Sequence, residues 1–107
     1  MLIFCSYTLK DDLLTIDRLK EIKSELSVIA HTYIDILDND SANKQERVVR
    51  ELKNSNLLLV LMTPKIKESA WVDMEYRIAK ENNIPILEID ANRIDRIKGI
   101  LIEHSII

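Results

Sequence analysis

Glu75 is an acid inside the apolar stripe of a predicted helix. The segment "SAWVDMEYRIA", residues 69–79, has apolar residues at helical spacing. On a helical wheel, Glu75 lies between Trp71 and Ala79 on the inward side. A carboxylate fully buried there would be costly, so it must be paired, protonated or open to a cleft. In a cleft, such a charge can stabilise a cation that develops during a reaction.

The ordinary interpretation of Glu75 is structural. At the margin of the stripe it would reach solvent and pair with Arg77 or another neighbour, an arrangement that is common for acids on helices. The spacing alone favours this interpretation, and Trp71 alone is more typical of a core residue. The choice between a structural and a functional acid therefore depends on the rest of the chain.

Other residue types give weaker signals for a site. The single glycine, Gly99, excludes a dinucleotide fingerprint and a P-loop, because each needs more than one glycine. The histidines and the cysteine show no metal-ligand spacing. Asp35, Asp38 and Asp40 could hold a metal ion, but a polar turn is the ordinary explanation for such a group. We therefore expect no metal site.

Length and composition predict one small cytoplasmic domain. The chain has 107 residues and a formal charge of −3, which argues against a nucleic-acid or anionic-membrane partner. Cys5 is the single cysteine, so an internal disulfide is excluded, as expected for a reducing cytosol. No apolar run is long enough for a signal peptide or a membrane span.

The elements that must position Glu75 alternate between strands and helices. The apolar patterns predict strands at residues 2–5, 31–37, 57–62 and 84–89, and helices at residues 13–26, 42–53 and 69–82. Asp12 is expected to cap the first helix or to place charge in its first turn. After residue 93 the pattern indicates a short helix and then a strand at 100–102.

This alternation predicts an α/β fold with a parallel sheet and helices on both faces. We expect a flavodoxin-like three-layer sandwich of four or five strands in the order 2-1-3-4-5. The third and fourth strands should be central, with residues 58–61 and 84–87 nearly fully buried. Ligands bind beyond the carboxyl ends of such strands, which directs attention to residues 6–12, 38–41, 63–69 and the segment from residue 90.

Three stretches carry a pattern that extends beyond Glu75. They are "IFCSYTLKDD" at residues 3–12, "YIDILDND" at residues 33–40, and "LKNSNLLLVLMTPKIKESAWVDMEYRIAKENNIPIL" at residues 52–87. In this order and spacing they resemble a TIR (Toll/interleukin-1 receptor) domain, particularly the stand-alone bacterial kind. The third stretch is the most specific, because the family has a strand, then serine, tryptophan and a glutamate four residues after the tryptophan.

The resemblance implies that Glu75 is catalytic, since it matches the glutamate with which many TIR domains cleave NAD. These domains break the bond between nicotinamide and ribose and release nicotinamide and an ADP-ribose-derived signal. Carried over, Trp71 forms the cleft wall or stacks near the ligand, while Ser6 and Tyr7 contact nicotinamide or ribose. NAD is then the substrate, so no cofactor is expected.

The resemblance also implies partners. TIR domains assemble through TIR–TIR contacts, so a homo-oligomer is expected, with separate sensor and effector proteins as in antiphage systems of the Thoeris kind. Residues 1–107 are expected to form a single such domain, and its last strand and helix are expected to be missing or reduced relative to the family. Two further departures are Thr63 in place of the strand-ending serine and a second loop without the usual glycine or proline.

Three other functions remain as alternatives. A TIR fold can act as a non-catalytic scaffold, with Glu75 as a surface acid. A nucleoside deoxyribosyltransferase relative would share ribosyl chemistry but not the substrate. A phospho-receiver has the same alternation of elements, but it needs an aspartate at the end of the third strand, where Met62 and Thr63 stand here.

Overall fold

Four parallel strands and the helices that cover them make up the fold. The structure is a computed structural model that describes residues 1–103, apart from the side chains at positions 94, 95, 98, 102 and 103. Residues 104–107 of the predicted domain lie outside the described residues. The strands are β1 (Leu2–Ser6), β2 (His31–Ile34), β3 (Leu57–Met62) and β4 (Ile86–Asp90). The helices are α1 (Ile16–Leu26), α2 (Asp35–Asp38), α3 (Lys44–Lys53), α4 (Ala70–Glu81) and α5 (Ile97–Glu103).

The strand order is β2-β1-β3-β4, which confirms the predicted flavodoxin-like arrangement. The central strands are β1 and β3, and Phe4 of β1 lies opposite Tyr33 of β2 and Leu58 of β3. The prediction that β4 is central is wrong, because β4 is the last strand in the sheet of the described residues. Residues 58–61 are fully buried as expected, whereas Ile86 and Leu87 are only partly buried.

Alternation along β3 divides the core into two layers. Leu57, Leu59 and Leu61 face the layer that contains α1 and α5. Leu58 and Val60 face the opposite layer, which contains α3 and α4. Helices therefore cover both faces of the sheet, as the sequence predicts.

Side-chain caps define the ends of the helices. Thr15, rather than Asp12, caps α1, because its hydroxyl accepts a hydrogen bond from the backbone N–H of Arg18 at 3.1 Å. Asp12 lies in the preceding loop with a positive φ of 59°. Ser69 caps α4 in the same way, accepting from the N–H of Val72 at 3.2 Å. The start and end predicted for α4 are thus confirmed to within a residue.

The predicted strand at residues 100–102 is wrong, since these residues belong to α5. Ile97 and Leu101 are both fully buried, and a spacing of four places them on one face of a helix. Within residues 1–103, no helix is long and apolar enough to cross a membrane.

Candidate functional site

The site is built around a buried contact between β1 and α4. Ser6 lies two residues after Phe4, so it faces the same side of the sheet, which α4 covers. Its hydroxyl donates a hydrogen bond to Oε1 of Glu75 at 2.7 Å. The contact joins residues that are distant in sequence, and it places an acid at the carboxyl end of a central strand.

Glu75 lies in the middle of the buried stripe of α4. Its exposed fraction is 3%, and Val72, Ile78 and Ala79 are buried beside it. Trp71, which is 38% exposed, lies at the margin instead. The interpretation of Glu75 as an acid that reaches solvent is therefore wrong.

Burial changes the acidity of this side chain. It raises the pKa of Glu75 to about 8, because the charged form loses its hydration. A hydrogen bond from Ser6 lowers this pKa, the negative charge of Asp35 raises it, and a hydrogen bond with the side chain of Trp71 lowers it. Near neutral pH the free protein therefore holds Glu75 mostly in its protonated form.

A small cleft opens beside Glu75. Its volume is about 180 Å³, and it is lined by Tyr7, Thr8, Leu9, Asp35, Ser69, Trp71 and Glu75. These residues follow β1 and β2, cap α4 or lie in its first half, so the cleft lies at the edge where the carboxyl ends of the strands meet. The structure thus brings Tyr7, Trp71 and Glu75 together in one cleft.

Ser6 and Tyr7 differ in how they reach this cleft. Ser6 is 1% exposed and lies beneath Glu75, outside the set of lining residues. Tyr7 lines the cleft, and its hydroxyl accepts a hydrogen bond from the N–H of Ile36 at 3.0 Å. Burial also raises the pKa of Tyr7 above its ordinary value. In the protein without substrate, Ser6 therefore orients Glu75, while Tyr7 forms part of the cleft surface.

Asp35 is a cleft residue that the sequence indicates only as one of three acids that could hold a metal ion. The apolar run after His31 predicts a strand through Leu37, but β2 ends at Ile34, and Asp35 begins α2 at the edge of the sheet. Its Oδ1 accepts hydrogen bonds from the Tyr33 hydroxyl at 3.0 Å and from Nδ2 of Asn39 at 2.7 Å. Thr8, Leu9 and Ser69 also line the cleft and lie in segments where the sequence predicts ligand contacts.

The three acids after β2 contact different partners and do not converge on one point. Asp38 pairs with Lys23 and accepts from the N–H of Ile34 at 2.8 Å, while Asp40 pairs with Arg47 at 3.4 Å. Asp35 faces the cleft instead. Among the side chains that the structure describes, no three acidic, histidine or cysteine residues form a group that could hold a metal ion.

Two contacts join the loops on either side of the cleft. Nζ of Lys10 donates to the carbonyl of Glu68 at 3.0 Å, and the N–H of Lys65 donates to Oδ2 of Asp11 at 2.7 Å. The loop after β1 and the loop after β3 are therefore held together at the edge of the sheet.

Larger grooves lie away from this chemistry. One of about 580 Å³ runs along the surface of α3, and one of about 330 Å³ lies between α4 and β4. Neither includes Glu75 or Asp35. The smaller cleft is the candidate site because it contains the buried acid with a perturbed pKa.

The parallel sheet, the cleft at its carboxyl edge and the buried glutamate after a tryptophan are features of a TIR-like domain. Residues 4–95 match the family model described as "Thoeris protein ThsB, TIR-like domain", and the chain therefore belongs to that family. No curated protein and no solved structure matches the chain.

Proposed function

We propose that this protein cleaves NAD between nicotinamide and ribose and produces an ADP-ribose-derived signal in bacterial antiphage defence. The observation that supports this most directly is the buried Glu75, which Ser6 orients in a cleft beside Trp71. The chain belongs to a Thoeris TIR-like family, and this membership supports a role in antiphage defence. NAD is the substrate in this proposal, and no cofactor takes part.

The reaction needs no general acid. The bond between C1′ of ribose and the ring nitrogen breaks, and its electron pair goes to that nitrogen, so the cationic ring leaves as neutral nicotinamide. Positive charge passes to the ribose, which forms an oxocarbenium-like transition state. Water then adds to C1′ and loses a proton, or a nucleophile within the ADP-ribose closes a ring. A negative charge beside C1′ lowers the barrier to the first step.

Glu75 can supply this charge after it loses its proton. In the free protein, burial favours the neutral acid. A cationic nicotinamide ring in the cleft would favour the carboxylate instead, because opposite charges stabilise each other strongly where water is excluded. Ser6 and Trp71 already provide hydrogen bonds that favour the charged form. Substrate binding and ionisation of Glu75 are therefore coupled in the proposed mechanism.

The size of the cleft supports assembly through TIR–TIR contacts. Pockets that enclose a drug-sized ligand usually hold at least roughly 300 Å³, so a cleft of about 180 Å³ suits one end of NAD. We propose that the nicotinamide riboside end enters it and that a second copy of the chain covers the remainder. A separate sensor protein would trigger assembly, and a separate effector would respond to the product.

Mass spectrometry of NAD incubated with the protein tests the proposal. Wild type should release nicotinamide, and Glu75→Gln should be slower by about a hundredfold or more, because it removes the charge but keeps the shape. Glu81→Gln is the matched control, since Glu81 is an exposed acid at the end of the same helix. Equal rates for wild type and Glu75→Gln would end the catalytic assignment.

A non-catalytic scaffold is the second candidate. The small cleft and a Glu75 that is mostly protonated near neutral pH are also what a fold without catalysis could retain. In this case the protein would self-associate but leave NAD intact, even at high protein concentration and with a trigger present. Nicotinamide release that depends on Glu75 would exclude this candidate.

A further inference from the structure

Asp35 is the second acid of the cleft, and the proposed reaction leaves it without a role. It belongs to α2 and follows β2 directly, whereas Glu75 belongs to α4. Both side chains line the same cleft. Their proximity also affects acidity, since the negative charge of Asp35 raises the pKa values of Glu75 and Tyr7.

One oxygen of Asp35 is held in place while the other remains available. Oδ1 accepts from the Tyr33 hydroxyl and from Nδ2 of Asn39. Asn39 is buried and is fixed in turn, because it also donates to the carbonyl of Lys44 at 3.0 Å and accepts from the N–H of Ser41 at 3.1 Å. No donor to Oδ2 occurs among the side chains and backbone groups that the structure describes.

The charge of the cleft points to the class of ligand. Among the residues that the structure describes, its lining contains two acids and neither lysine nor arginine. The other titratable groups whose pKa values Glu75 affects are Cys5 and Tyr7. Burial raises the pKa of both, so they stay neutral, and neither a thiol nor a phenol can carry a positive charge. A cation is therefore the ligand that would best compensate this lining.

We propose that Asp35 contacts the substrate and selects the cationic, oxidised form of a nicotinamide nucleotide over its neutral, reduced form. Its free oxygen faces the charged pyridinium ring, while Glu75 serves the ribose. This role rests on the proposed function, because it concerns the same cleft and substrate. It assigns to the two acids separate tasks, recognition of charge in the ground state and stabilisation of charge in the transition state.

Binding of two probes tests this selection. Nicotinamide mononucleotide carries the cationic ring, and its reduced form carries a neutral ring of nearly the same shape. Asp35→Asn should weaken binding of the oxidised probe by about tenfold or more, and it should change binding of the reduced probe by less than about twofold. Asparagine retains an oxygen that can accept from Tyr33 and Asn39, so the local fold should be preserved.

Asp40→Asn is the matched control. It removes one negative charge from the same segment between β2 and α3, but Asp40 does not line the cleft. A second readout needs no substrate. Carbon NMR of the Glu75 carboxyl should give a lower pKa in Asp35→Asn than in wild type, and an unchanged pKa in Asp40→Asn. This readout would distinguish a charge that faces Glu75 from a merely structural role.

The outcomes separate the two proposals. Three outcomes would overturn the role of Asp35. Asp35→Asn could weaken binding of both probes equally, wild type could fail to bind them, or the pKa of Glu75 could be unchanged in Asp35→Asn. If NAD cleavage still depended on Glu75 in that case, the proposed function would stand. Conversely, charge-selective binding that depends on Asp35, without any cleavage of NAD, would support the role of Asp35 in binding and refute the enzymatic function.

Discussion

Replacing Glu75 with glutamine should change how the stability of the protein depends on pH. The wild-type folded state keeps Glu75 protonated up to about pH 8, whereas the unfolded chain releases this proton near the ordinary pKa of 4.5. Between these values the unfolded state is favoured as pH rises, because it alone has lost the proton. The contribution of Glu75 to stability is therefore complete below the ordinary pKa, falls through this window and is constant above it.

The magnitude follows from the two pKa values. One pKa unit corresponds to about 1.4 kcal/mol, so the free energy of unfolding should fall by roughly 3 kcal/mol between about pH 5 and about pH 8 through Glu75 alone. Glutamine has no proton to release, so the free energy of unfolding of Glu75→Gln should not show this decrease. Other titrating groups are shared by the two proteins, and their contributions cancel in the difference.

Urea unfolding at several pH values measures this difference. The gap in unfolding free energy between Glu75→Gln and wild type should widen in favour of the variant as pH rises, and Glu81→Gln should follow wild type. Parallel curves for wild type and Glu75→Gln would refute the reasoning, because they would show that Glu75 has similar acidity in the folded and unfolded states. A gap that closes with rising pH would mean that Glu75 is a stabilising carboxylate in an ion pair.

Three further results are expected. NAD cleavage should rise more than linearly with protein concentration, and a constant specific activity over a wide range would favour a self-sufficient monomer. Cys5 should react slowly with a thiol reagent under native conditions, because it is buried and burial raises its pKa; rapid reaction would contradict its place in β1. Asn83, which follows α4 with a positive φ of 57°, should tolerate glycine, whereas Asn83→Ala should cost about 1 kcal/mol in thermal or urea unfolding; equal stability of the two variants would refute this.

The elements predicted best are those whose signals are local. The continuous apolar run of β3 and the serine before α4 identify these elements without knowledge of the rest of the fold. The position of β4 was predicted wrongly because an apolar strand indicates burial but not which strands lie on each side. Edge or centre is decided by pairing across the sheet, and within β4 only the exposed charge of Glu88 hints at an edge strand.

Asp35 illustrates the limit for the candidate site. Ile36 and Leu37 continue the apolar run of β2, so a strand pattern is a reasonable prediction there. One local and one tertiary contact end the strand early, since Asp38 accepts from the N–H of Ile34 and the Tyr7 hydroxyl accepts from the N–H of Ile36. Glu75 is indicated as a candidate by the resemblance to TIR domains, whose tryptophan and glutamate lie within one helix, whereas its position in the stripe alone favours a structural acid. Its contact with Ser6 depends on how α4 packs on the sheet.

The central position of β1 has a consequence for how the cleft can open. Ser6 ends a strand that is paired with β2 through Cys5 and with β3 through Ser6 itself, so it should move only when the centre of the sheet moves. The opposite wall is the first turn of α4, which carries Trp71 and follows a single turn of 3-10 helix at Ile66–Glu68. Ends of helices fray at much lower free energy than central strands. The cleft should therefore open by displacement of the first turn of α4, which carries Trp71. The wall formed by β1 at Ser6 should stay in place.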